Sequence, residues 1–469
     1  MLTHDANGET RFLSFWPRVR EFAVPASVIE TATARRLVGD WAGACAAAGF
    51  DVDLDLTSLA RRRGRELAAR VRSDLRHLAP DLLRWHMPRI APDGLLRPGL
   101  TVRLARYGPV HLVVRTAPAW ADGGQRISLA LWDGDAVGAE AAARHPHPRP
   151  SRRFRLDLHR HLWDARRAGE LRERSGACGP PRPDAERWAA EARILLAAEG
   201  RSAGRVAVRA GDRRFVVDVA RPYAVAGVEP GTEARSTGRV AVRAGDRRLA
   251  VDVGPPYAVA GAEPGTALGP LPLLPDAATW LPPDLELLRA GAIEAGRLHP
   301  LVAAALVPEH AGTEPPVPPD PRAPRVVECR GALHRIALVD GVLAPLDHDP
   351  DELRREQLLV ALSGTPLPCL RIIDEAHRRP DSLDDVRERL RHGDTAGALA
   401  AVEGLLGPEA VLRSGPLQEA LEAAAERRLV HGLYRAGLAR PENDRPPVRP
   451  TDPQLRRSAR SRPRHAVGR

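Results

Sequence analysis

Apolar positions between residues 59 and 78 recur at helical spacing. Leu67, Val71, Leu75 and Leu78 stand at i, i+4, i+8 and i+11, which puts them on one face of a helix. Pro80 stops that pattern, and Leu82, Leu83 and Trp85 begin a shorter helical piece. Upstream, Pro25-Ala26-Ser27 offers a helix start that Ile29, Ala32 and Leu37 continue. Gly39-Asp40 interrupts it, and Trp41, Ala44, Cys45 and Ala48 resume the period. A short strand is expected within 50–56. The period then falls to two. Val102-Arg103-Leu104 alternates, 111–114 is a short apolar run, and Ile127, Leu129 and Leu131 alternate with Arg126, Ser128 and Ala130. These predict three antiparallel strands, so 1–135 reads as an N-terminal α+β domain.

Residues 136–183 form an irregular, Arg- and His-rich segment with a helical piece at about 158–174. Residues 184–312 open on a clear helix from Pro183-Asp184 to Glu199, whose apolar face is Trp188, Ala192, Leu195 and Leu196. A tandem duplication follows. Residues 201–234 and 235–268 agree at 26 of 34 positions. Each copy predicts a strand, a Gly-Asp turn (Gly211-Asp212, Gly245-Asp246) and a second strand, then Pro-Tyr. Two hairpin units are too few for a solenoid. The near-identity points to copying of one hairpin within an older domain, and it makes register ambiguous: either hairpin could occupy the same sheet position.

Pro-rich loops around short helical pieces carry the chain through 269–312 to a Pro-rich linker at 313–325. The last folded region, 326–439, begins with strands around Asp340-Gly341, a type I′ turn signal. Asp349-Pro350-Asp351-Glu352 then starts a helix. Further helices are expected at about 381–391, 394–406 and 415–437. Residues 440–469 read as a disordered basic tail. The fold class expected is multidomain α+β, with antiparallel hairpins and a helical C-terminal bundle.

Composition changes this picture in one respect. The 70 basic residues are all Arg. Without Lys there is no Schiff-base nucleophile, no lysine-anchored pyridoxal phosphate and no phosphate-clamping lysine of a P-loop or kinase. Arg without Lys, beside abundant Ala, Gly and Pro, mostly reports GC-rich codons. The net charge of +10 is unevenly spread. Residues 440–469 hold nine Arg against Glu442, Asp444 and Asp452, and 144–174 hold ten against Asp157, Asp164, Glu170 and Glu173. Each segment nets +6, so the remainder sums to −2. If an anion or nucleic acid is bound, Arg152, Arg153, Arg155, Arg456, Arg457 and Arg460 are the candidate contacts. The first ten residues lack the basic start and apolar run of a signal peptide, and no apolar stretch is long enough for a membrane span. A cytoplasmic location without membrane association is expected.

Imidazoles and nearby carboxylates make His145, His147, His159 and His161, beside Asp157 and Asp164, a candidate metal cluster. Against it, neighbouring arginines repel a cation, and polar surface is the competing reading. Cys45, Cys178, Cys329 and Cys369 form no CxxC pair, so a zinc ribbon, a thioredoxin-like motif or a disulfide framework is unsupported. Reduced structural thiols are expected, with Cys329 and His334 as a weak dyad candidate. Ile372–His377 resembles the acidic box of DEAH-type helicases. The P-loop it requires cannot exist without Lys, so Asp374-Glu375 is read as charge at a helix N-terminus.

Leu390–Ala401, with its Gly393-Asp394 turn, resembles the turn and second helix of tetratricopeptide-like hairpins, as does the run at about 37–48 around Gly39-Asp40. The resemblance covers about a dozen residues in each place. It implies close helix-hairpin packing of the kind that presents a partner-binding groove. No cofactor and no coherent catalytic set can be read. The expected function is a non-catalytic, cytoplasmic partner-binding, regulatory or scaffold protein with a protein partner. Alternatives are nucleic-acid binding through Arg144–Arg174 and the tail, and a metal-dependent enzyme built on the His cluster.

Overall fold

In the computed structural model the described residues are 9–133, 145–177, 184–210, 213–219, 238–244, 247–253, 257–262, 271–310, 325–329, 331–363 and 367–438. Six helices and six strands occupy the first part: α1 (Glu9–Phe22), α2 (Ala26–Leu37), α3 (Trp41–Ala47), β1 (Phe50–Asp53), α4 (Leu56–Arg63), α5 (Arg65–His77), α6 (Pro80–His86), β2 (Arg89–Ile90), β3 (Leu95–Leu96), β4 (Thr101–Tyr107), β5 (Val110–Thr116) and β6 (Ile127–Asp133). The single helix expected over 59–78 is two helices broken at Gly64. The three predicted strands pair antiparallel, and β1 adds in parallel beside β6, giving the order β1-β6-β5-β4. β5 is buried along its whole length, so this sheet is covered on both faces.

Its core is built from Trp16, Val71, Leu75, Leu82, Leu83, Trp85, Leu104, Leu112, Ile127 and Leu129. Two later stretches join it. From 145–177, where the chain makes 3-10 turns and the short helix α7 (Leu171–Arg174), come Phe154, Leu156, Trp163 and Leu171. From 283–306 come Leu287, Leu298 and Val302. A buried ion pair fixes this return: Arg20 on α1 meets Asp284 at 2.7 and 2.8 Å.

Helix α8 (Asp184–Ala198) packs Trp188, Ala192, Leu195 and Leu196 on the duplicated region. The first copy supplies β7 (Gly204–Ala210) and β8 (Arg213–Val219), and the second supplies β9 (Gly238–Ala244), β10 (Arg247–Val253) and β11 (Tyr257–Ala262). The hairpins are as predicted, but the third strand crosses between copies. β11 of the second copy pairs with β8 of the first, in the order β11-β8-β7, while β9 and β10 pair with each other. The first copy's equivalent of β11, 223–228, lies outside the described residues. Because Tyr257 stands opposite Val219, deleting the 34-residue unit 220–253 leaves only residues 254–256 to join the strands. A loop of that length closes a hairpin. The deletion variant is therefore expected to fold and to melt within a few degrees of the parent chain. A collapse of the melting transition in calorimetry would contradict this.

Short helices α9 (Asp276–Thr279), α10 (Pro283–Arg289) and α11 (Pro300–Leu306) lead to the last part. This contains β12 (Arg325–Cys329), β13 (Ala332–Val339), β14 (Val342–Pro345), α12 (Pro350–Ser363), α13 (Pro368–Arg378), α14 (Leu383–His392), α15 (Thr395–Leu406) and α16 (Pro416–Ala436). Asp340 and Gly341 both have positive φ, 50° and 77°, as a type I′ turn demands. The two tetratricopeptide-like runs share one local geometry. Gly39 and Gly393 sit in left-handed conformation at φ 81° and 89°, where Gly carries no steric penalty. The following Asp caps the next helix, Asp40 accepting from Gly43 N–H and Asp394 from Gly397 N–H. The antiparallel pairs α2–α3 and α14–α15 result.

The helical region docks on the first sheet. Arg84 donates to the carbonyls of Ala23, Gln125 and His392 at 3.0, 2.7 and 2.7 Å. His431 on α16 reaches the Ala121 carbonyl at 3.0 Å and the Asp51 carboxylate at 3.3 Å, and Arg435 pairs with Asp53. No helix among the described residues is long and apolar enough to cross a membrane.

Candidate functional site

The histidines singled out in the sequence fall in two places. His145 is buried, with Nε2 2.9 Å from the Thr116 carbonyl and Nδ1 accepting from His147 N–H. Burial holds its ring below the usual imidazole range. The His147 residue is itself exposed. His159 and His161 are buried with their rings 5.8 Å apart. His159 Nε2 lies 3.2 Å from Glu191, and its Nδ1 lies 3.2 Å from the Arg155 carbonyl. Burial opposes ionisation of Glu191, but His159 and Arg174 hold its carboxyl below the ordinary value. Among the described residues no three of these histidines converge on one point.

The arginines of the same segment face acids. Arg153 pairs with Asp276, Arg155 with Asp157 and Glu199, Arg160 with Asp74 and Asp164, Arg166 with Asp164, Arg167 with Glu170, and Arg174 with Glu191. Arg152 is exposed. Arg456, Arg457 and Arg460 lie outside the described residues. Arg155 and Arg160 also line a groove of about 510 Å³ with Arg70, Arg106, Tyr107 and Asp74. The acids around this groove offset much of its positive charge.

The acidic box is not at a helix start. Asp374 and Glu375 lie in the second half of α13, where Asp374 receives Arg378 at 2.8 Å and Arg413 at 2.7 Å. Two arginines compensate this carboxylate, and the Arg413 pair ties α13 to the loop before α16.

The region 325–348 concentrates chemistry that local spacing did not reveal. β12-β13-β14 is a three-stranded antiparallel sheet in which Val327 faces His334 and Val339 faces Val342. Side chains alternate between its faces. One face carries Val327, Cys329, His334 and Ile336, and α13 packs there through Cys369 and Ile373. Arg335 clamps Asp347, its backbone N–H and guanidinium both at 2.8 Å. This fixes the strand end so that His348 stacks on His334, ring centroids 4.1 Å apart and 18° from parallel. Cys369 follows Pro368 in the first turn of α13. Burial, with the Cys329 thiol beside it, pushes the Cys369 thiol up to about 11.

The opposite face holds Val326, Glu328, Leu333, Arg335, Ala337, Val339, Val342 and Leu346. Its large apolar members stand in solvent: Leu333 is 72% exposed and Val326 61%, with Val339, Val342 and Leu346 also exposed. Five such side chains share one side of one small sheet, around Glu328 and the Asp347-paired Arg335, a denser set than the scattered exposed leucines of ordinary surfaces. The Cys, His and Val residues were all visible in the sequence. Their division between the two faces required the register of β12 against β13. Family models, curated proteins and solved structures were compared with the chain, and none matches.

Proposed function

We propose that this is a non-catalytic partner-binding protein, regulatory or scaffolding in type, that takes a protein partner on the open face of β12-β13-β14. The observation that carries the reading is the exposed set Val326, Leu333, Val339, Val342 and Leu346. Such a patch favours an apolar strand or amphipathic helix as its complement. The helical hairpins α2–α3 and α14–α15, which resemble tetratricopeptide-like packing, support a partner-binding reading. The division into an N-terminal α+β domain, a duplicated middle region and a C-terminal binding domain, and a cytoplasmic setting, belong to this proposal. Nucleic-acid binding through 144–174 has less support, because most arginines described there are already opposite carboxylates.

The test is co-purification at native expression level, comparing the parent chain with Leu333→Glu/Val339→Glu. The double variant alters only solvent-facing positions, so its melting temperature is expected to stay within about 2 °C. A partner retained by the parent and lost by the variant is the expected result. Equal recovery with both chains, or no partner with either, removes the reading.

A further inference from the structure

On the covered side of the same sheet, one ligand atom each from Cys329, His348 and Cys369 lies within 4.8 Å of the other two. We propose that these three side chains bind a zinc ion, with His334 as fourth ligand, and that the ion fastens α13 to the sheet. Two sulfurs and two imidazoles are the donor set that zinc prefers in closed, tetrahedral sites. Ligand atoms on such an ion lie about 3.3–3.8 Å apart, so the Cys329, His348 and Cys369 atoms need to contract by only about an ångström, while the His334 ring, stacked on His348, has to turn to reach the ion.

Three further features favour an ion over a simple apolar thiol pair. Both cysteines are fully buried. The enclosed His348 Nε2 and His334 Nδ1 have no hydrogen-bond partner, although a buried ring nitrogen normally finds one. The four residues also come from four separate pieces of chain: the end of β12, the middle of β13, the segment after β14 and the first turn of α13. One ion would therefore cross-link the whole unit, as structural zinc does in small domains.

The inference goes beyond partner binding, and its readout is metal on the isolated chain, so either reading can fail without the other. The full chain is purified without a histidine tag under anaerobic conditions and its metal content measured. One zinc per chain is expected. After chelation, cobalt should restore the intense visible absorption of a tetrahedral thiolate site. Cys329→Ser and Cys369→Ser should lose metal and absorption, and His334→Ala should weaken cobalt binding by about tenfold or more. Since these variants could misfold, the parent chain carries an independent arm. Zinc should protect Cys329 and Cys369 from alkylation relative to the chelated chain, scored by peptide mass. Substoichiometric zinc with no cobalt band overturns the proposal. So does a Cys329–Cys369 disulfide in the isolated chain, or zinc content unchanged in Cys329→Ser.

Discussion

Replacing Asp284 with Ala should lower the unfolding free energy by about 3–5 kcal/mol, because it strands a buried charge. Asp284 is fully buried, and it accepts from the Arg20 guanidinium and from the Trp85 indole at 3.2 Å. Arg20 also donates to the Trp85 carbonyl at 2.9 Å, and its guanidinium lies over the rings of Trp16 and Trp85. The aromatic walls that hold the guanidinium in place also keep water from replacing the lost carboxylate. The effect should extend beyond one contact, since this pair joins α10 to α1 across 264 residues of sequence. Denaturant titration of Asp284→Ala measures it. The double variant Arg20→Met/Asp284→Leu should recover most of the loss, because both buried charges are then gone. A cost below about 1 kcal/mol for Asp284→Ala would show that the pair is not enclosed as described.

The second large effect is acid destabilisation that begins near pH 6.5, well above the carboxylate range. His86, His161 and His392 are buried at 0%, 4% and 1% exposure. Burial, and then Arg20 and His299, hold His86 far below its ordinary value; burial and His159 do the same for His161. Burial, then Arg89 and Arg84, bring His392 down to about 3. The sign follows from proton counting. Above pH 6.5 these rings are neutral in both states. Below it, the unfolded chain takes up protons that the folded chain refuses, so stability falls as pH falls. Each ring contributes about 1.4 kcal/mol per pH unit, and three give a slope of about 4 kcal/mol per unit. By pH 5 the loss is about 6 kcal/mol, comparable to the whole stability of many domains. Thermal unfolding between pH 7.5 and 5 checks this. His86→Leu should reduce the slope by about 1.4 kcal/mol per pH unit, and a melting temperature flat over that range would contradict the assignment.

Local rules carried the sequence reading wherever an element's cause lies within a few residues. The Asp340-Gly341 turn, the two Gly-Asp helix junctions and the amphipathic face of α8 are of this kind. The start of α13 was placed too late, with Asp374-Glu375 read as charge at a helix N-terminus, whereas Pro368 opens the helix. The break at Gly64 was hidden by an apolar stripe that runs through both α4 and α5. Other features depend on long-range closure. Nothing near Asp284 indicates that it pairs with Arg20, or that Leu287 and Val302 rejoin a core begun at Trp16. The converging thiols illustrate the same limit. Cys329 and Cys369 are 40 residues apart, and spacing rules for metal ligands look within single turns and hairpins. The four histidines at 145–161 were prominent because they are close in sequence, yet in the fold they attend to separate partners.

The strand that crosses between the two copies has a consequence for how this chain can change over generations. β8 does not require its own copy's third strand; it accepts the one from the copy that follows. Any whole number of 34-residue units placed between β8 and β11 leaves the same sheet closed. Unequal recombination between the copies therefore yields longer or shorter chains that still fold, and natural isolates should differ in unit number more readily than in the residues of the sheet itself.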